Sequence, residues 1–275
     1  MFPGATTARD DADYVVVGAP LDVSTTFQPG TRFGPDRVRT FARTYDDYDH
    51  RTGQRFTELG VADAGDVHAW DDAEEYLSFL SGELGDVVRD DAVPLLLGGE
   101  HTVSDACVRA TDPDVFVCLD AHLDLRREYD GNEWSHACVT RHVLDVADEA
   151  VILGARTGSP EEWERAEADD VTVVPPEDVP AWVADFDGVD GAAYLSVDID
   201  GADPSVAPGT GTMEPFGLSA TTMRDVVRAV APFAVGCDVV EVNDRDDGQA
   251  AALGGKLLRE FVYEHAARDG ATADD

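Results

Sequence analysis

The chain has 275 residues, 43% of them hydrophobic, enough to bury a sizeable core in one large domain or two small ones. With 20 basic against 57 acidic residues the formal charge is −37, a field that repels phosphate backbones and excludes general nucleic-acid binding. No apolar run approaches the roughly 20 residues that cross a bilayer, and the opening MFPGATTARDDADY carries no basic-then-apolar leader, so neither a membrane span nor secretion is expected.

In chain order, short apolar runs of strand length fall at 14–17, 93–97, 115–119, 151–153, 171–174, 193–197 and 235–240. Helix-like stretches lie between them, near 35–42, 73–88, 103–110, 137–146, 161–168, 219–231 and 250–265. Asp71-Asp72, Ser159-Pro160 and Ser219 supply helix starts. The runs are continuously apolar rather than alternating, as in strands buried on both faces. Strand–helix alternation throughout predicts one α/β domain, residues 1–275, with a mostly parallel sheet between helices and a frayed end at 266–275. Cys107, Cys118, Cys138 and Cys237 lack C-x-x-C spacing and read as reduced thiols of a cytoplasmic protein. The acid excess is spread along the chain among apolar runs, which argues against a disordered tail and for adaptation to concentrated salt.

In such sheets ligands bind beyond the carboxyl ends of the strands, and there the chemistry-bearing residues gather. VFVCL runs into Asp120-Ala-His122-Leu-Asp124, AYLSV into Asp198-Ile-Asp200, PLLL into Gly-Gly-Glu100-His101, and CDVV into Glu241. Alternate residues of extended chain face one side, so Asp120, His122 and Asp124 can aim at one point, as can Asp198 and Asp200. Four carboxylates in one cleft repel one another strongly unless cations neutralise them. Two divalent ions about 3.5–4 Å apart resolve this, and an oxygen-rich set with a minority of imidazole favours manganese over zinc. His50, His68, His142 and His265 read as surface or structural histidines, and Cys118 as buried packing.

These segments, with VVVGAPLDVSTTFQPGTRFGPDRVR, EYDGNEWSHACVTR and DGADPSVAPGTGTMEPFGLS, resemble the ureohydrolases, the family of arginases and agmatinases, on its archaeal agmatinase side. The resemblance covers about residues 15–261. It implies a three-layer α/β/α fold with an eight-stranded parallel sheet, a homotrimer or homohexamer, and two Mn2+ ions. One ion would be held by His101, Asp120, Asp124 and Asp198, the other by Asp120, His122, Asp198 and Asp200. His136 matches the family's proton-shuttling histidine, and Glu241 the acid that receives the guanidinium. Asp124 is spaced to orient a hydroxide made available between the two cations. An imidazole suits the proton relay to the departing amine.

The implied substrate is a small cationic guanidino compound, first agmatine. Arg126 stands where arginases have the Asn that binds the substrate carboxylate, and Ser159 where they have an Asp, so arginine is disfavoured. Arg126 either faces the pocket, which would suit 4-guanidinobutyrate, or pairs with Glu128 or another acid. Aminopropylagmatine, formiminoglutamate and a catalytically silent paralogue are the remaining alternatives. Phe216, Asp244 and Gly254-Gly255 depart from the family pattern and bear on loop shape near the mouth.

Overall fold

The computed structural model describes residues 1–271, as eight strands and eight α-helices. In chain order these are β1 (Tyr14–Ala19), α1 (Gly34–Ala42), β2 (Val61–Asp66), α2 (Ala73–Arg89), β3 (Val93–Gly98), α3 (Val103–Thr111), β4 (Val115–Leu119) and α4 (Val139–Val143). Then follow β5 (Glu149–Leu153), α5 (Pro160–Arg165), β6 (Val171–Val174), α6 (Val179–Asp185), β7 (Ala193–Asp198), α7 (Ala220–Val230), β8 (Ala234–Val240) and α8 (Gln249–Ala271). All the strands join one parallel sheet in the order β2-β1-β3-β8-β7-β4-β5-β6.

Period-2 geometry divides each strand between two cores. Val16, Leu95, Leu97, Val117, Leu195 and Val239 pack with Val38 of α1, Val226 of α7 and Phe261 of α8. Val15, Val17, Leu96, Phe116 and Tyr194 pack with Tyr76, Leu80 and Leu84 of α2, Cys107 of α3 and Val143 of α4. The result is the expected three-layer α/β/α arrangement.

The predicted caps are present. The Asp72 side chain accepts the Glu75 N–H, Ser219 accepts that of Thr222, and Ser159 forms a reciprocal capping box with Glu162. Two elements have no counterpart in the seven apolar runs and seven helix stretches: β2, whose sequence is VADAGD, and the short α6. The helical stretch expected over 137–146 shortens to α4, preceded by a 3-10 turn at His136–Cys138. The stretch expected to fray from 266 is helical as far as Ala271; residues 272–275 lie outside the described residues.

Candidate metal centre

Register places the site. Leu97 of β3 pairs with Val239 of β8, Val239 with Val197 of β7, and Val197 with Leu119 of β4. The four central strands therefore end level, and the residues just beyond them meet: His101, Glu241, Asp198 and Asp120. The turn after β3 needs its glycine, because a methyl group on Gly99 would stand 1.9 Å from the Leu21 carbonyl oxygen. That close approach lets the Gly99 N–H reach the Ala19 carbonyl, while the Gly99 carbonyl accepts the Glu241 N–H at 2.8 Å. Asp124 and Glu241 both adopt left-handed backbone, with φ of 50° and 59°.

The six proposed ligands converge. His101 Nδ1 lies 3.2 Å from Asp120 Oδ2, 3.1 Å from Asp124 Oδ2 and 3.3 Å from Asp198 Oδ2. His122 Nδ1 lies 3.5 Å from Asp120 Oδ1 and 3.1 Å from Asp200 Oδ2. Asp120 thus turns one oxygen to each imidazole. Asp198 Oδ1 accepts the Asp200 N–H at 2.9 Å, and Asp200 Oδ1 the Ala121 N–H at 3.1 Å, fixing both loops. All four carboxylates are buried, as is His101. Glu241 Oε1 accepts the His101 backbone N–H at 2.9 Å, and Glu241 and His136 line the same cavity of about 250 Å³.

The electrostatics are those of a cation site. Burial, reinforced by the charges of Asp200 and Asp120, pushes the Asp198 carboxyl well above its usual range. Burial and the Asp120 charge raise Asp124 to about 6, and burial raises Glu241 strongly. Burial disfavours charge on His101 and His122, but Cys118 with Asp120 and Asp124 at the first, and Asp200 with Asp120 at the second, outweigh it and raise both. Burial lowers His136 to about 4, helped by His122 and His101, and raises Glu100 to about 7 despite bonds from Ser24. A pair of dications fits this donor set: the carboxylates that crowd one another are those that would ligate, and the second oxygens of Asp198 and Asp200 are held by backbone N–H groups.

Several residues at the site were not read from the sequence. His101 Nε2 lies 3.1 Å from Ser196 Oγ; Ser196 donates to Asp238 Oδ1 at 2.7 Å, and Tyr194 donates to Asp238 Oδ2 at 2.7 Å. This fully buried chain fixes the His101 ring so that Nδ1 faces the carboxylates. The available signal was an acid inside the otherwise apolar strand AVGCDVV. Cys118, expected to be packing only, lies 3.7 Å from His101 Nε2 and 3.8 Å from Asp120 Oδ2, so it also walls the centre. Arg156 donates to the carbonyls of Gly154, Asp200 and Glu214 at 2.7–2.9 Å and so clamps the loop after β7.

Arg126 lines the cavity, but its guanidinium pairs with Glu162 Oε2 at 3.1 Å rather than with Glu128, and lies 5.0 Å over the Tyr129 ring. Ser159 also lines the cavity, with its hydroxyl engaged as the cap of α5. His265 is structural, bonded through Nδ1 to the Tyr14 hydroxyl at 2.8 Å.

Fold and site together define a metal-dependent hydrolase built on an α/β/α sheet. Within that class the chain belongs to the arginase family, whose model matches residues 12–263, and it is a ureohydrolase. It is 32% identical to an agmatinase of Pyrococcus horikoshii over 94% of this chain and 93% of that one. It is 33% identical to an N(1)-aminopropylagmatine ureohydrolase of Thermococcus kodakarensis, over 90% and 89% of the two chains. The crystal structure of an agmatine ureohydrolase of Thermoplasma volcanium superposes with a TM-score of 0.91 at 34% identity, covering 99% of this chain and 95% of the other.

Proposed function

We propose that this ureohydrolase converts agmatine and water to putrescine and urea, with two Mn2+ ions at the carboxylate cluster. The observation that carries the reading is Asp120, whose two oxygens face different imidazoles, as a carboxylate shared between two cations requires. His101, Asp120, Asp124 and Asp198 would hold one ion, and Asp120, His122, Asp198 and Asp200 the other, with Asp120 and Asp198 shared. The ion pair supplies Lewis acidity that brings the ionisation of water near neutral pH. Glu241 receives the guanidinium through paired N–H bonds, and Asp124 orients the attacking water. The water oxygen joins the central guanidinium carbon, one C–N bond breaks, and His136 delivers the proton to the departing diamine nitrogen.

The tail preference follows from charge. Arg126 is already matched by Glu162, which weakens the case for a carboxylate tail such as that of 4-guanidinobutyrate. The same pairing offsets the charge that would otherwise oppose a terminal ammonium group such as that of agmatine. The same reading includes a cytoplasmic homotrimer or homohexamer working in concentrated salt. Four buried cysteines without disulfides accord with a reducing compartment, and sedimentation velocity checks the assembly, a monomer overturning it. No helix among the described residues is long and apolar enough to cross a membrane.

The test is a urea-release assay in molar KCl with added Mn2+. Agmatine, aminopropylagmatine, 4-guanidinobutyrate and arginine are compared by kcat/KM, with agmatine expected to be highest. A higher value for 4-guanidinobutyrate would reassign the tail pocket. Two bound ions with no urea from any of the four would make the chain a silent paralogue.

A further inference from the structure

We propose that Ser24, backed by the buried Glu100, is a positioning residue that fixes the His136 ring with Nε2 as its working nitrogen. This rests on the reading of His136 as the proton carrier. Ser24 stands in the loop after β1 and meets His136 across 112 positions of sequence. Its hydroxyl oxygen makes two contacts with that one residue, accepting the His136 backbone N–H at 3.0 Å and lying 3.0 Å from His136 Nδ1. The loop is itself pinned: Asp22 accepts the Thr25 hydroxyl at 2.6 Å and the Gly30 N–H at 2.7 Å. Glu100 Oε2 accepts the Ser24 backbone N–H at 2.8 Å.

The bonds fix which ring nitrogen is free. A hydroxyl has one proton and two acceptor lone pairs, so Ser24 Oγ can take the His136 backbone N–H and still bond Nδ1, as donor or acceptor according to the tautomer. In either case Nδ1 is engaged by Ser24, and Nε2 is the ring nitrogen left to exchange a proton with the substrate. Glu100 is completely buried; its Oε2 holds the Ser24 backbone and its Oε1 takes the Thr102 hydroxyl at 3.3 Å, so the support behind Ser24 is itself anchored.

Magic-angle-spinning 15N spectra of the full-length, histidine-labelled protein, loaded with diamagnetic Zn2+ at pH 8.5, report the tautomer. A His136→Asn difference spectrum assigns the signals. The native protein is expected to show His136 in a single tautomer with a hydrogen-bonded Nδ1. Ser24→Ala leaves the backbone bond to Glu100 in place, should remove the Nδ1 bond and populate both tautomers, and should lower kcat about tenfold with KM within about twofold. Ser24→Thr should restore both. Mixed tautomers in the native protein, or spectra or kcat unchanged in Ser24→Ala, would overturn the proposal. Normal urea release by His136→Asn would instead overturn His136 as proton carrier, whatever the spectra show.

Discussion

At Glu241 a non-glycine residue is held at a φ of 59° immediately after β8, with no Asn- or Asp-type side chain to ease it. Such backbone costs on the order of 1–3 kcal/mol and persists where the surroundings impose it. Here the Gly99 carbonyl takes the residue's N–H while its side chain takes that of His101. Glu241→Gln keeps the shape and removes the charge that would meet a guanidinium. It should lower kcat/KM at least about 100-fold, about 2.7 kcal/mol, while leaving the thermal midpoint within a degree or two. Near-native kcat/KM would remove Glu241 from guanidinium binding. His122→Ala should leave one bound ion per chain by elemental analysis; two would contradict the ligand set. These residues were legible because alternation after a strand end is a local pattern. Ser24, Ser196 and Asp238 were not, because each acts through a partner that only the fold brings near.

Elements were legible in proportion to how fully the sheet buries them. Seven strands announce themselves as apolar runs. β2 does not, because it is an edge strand whose later residues alternate toward solvent, and its acids serve a buried arginine. Arg39 of α1 donates to Asp63 through Nε and Nη2, both at 2.9 Å, and also bonds Asp66, so one side chain binds a helix to the sheet edge. Burial alone would raise the Asp63 pKa, but Arg39 and the backbone N–H groups of Gly65 and Phe2 lower it below its usual value. A depressed carboxyl stabilises the fold above its unfolded pKa of about 4 and loses that contribution as pH falls through the lower folded value. Arg39→Ala leaves Asp63 buried without its partner and should cost roughly 3–5 kcal/mol in urea unfolding at pH 7. The deficit should shrink on acidification below pH 4; one independent of pH would mean that the pair does not carry the effect. The glycine pair of α8 has a packing reason: a methyl on Gly254 would stand 2.8 Å from Val239 Cγ1. Gly254→Ala should therefore lower the thermal midpoint, although helix propensity alone predicts a gain of about 1 kcal/mol.

For the whole molecule, the −37 charge poses a problem that a metal pair at the site would solve only locally. Two dications would cancel four carboxylates, while arginine pairs such as Arg228–Glu260 and Arg165–Asp170 are already counted in that net, so a large surface excess of like charge remains. In dilute buffer near 0.01 M the screening length is about 30 Å, so acids on opposite faces repel through the whole fold; at 1 M it is about 3 Å and only neighbours interact. This repulsion opposes the compact state more than the expanded one, because folding brings the charges together. The thermal midpoint should accordingly climb steeply between 0.05 and 1 M KCl and then flatten as screening saturates. Sucrose, which strengthens burial by exclusion without screening charge, should reproduce little of the low-salt rise. Replacing exposed acids far from the site, such as Glu74, Glu75 and Asp86, with Asn or Gln should shift the whole curve to lower salt without altering kcat in 3 M KCl. A midpoint indifferent to KCl, in the native protein and the charge-reduced variant alike, would mean that the acid surface is not an adaptation to salt.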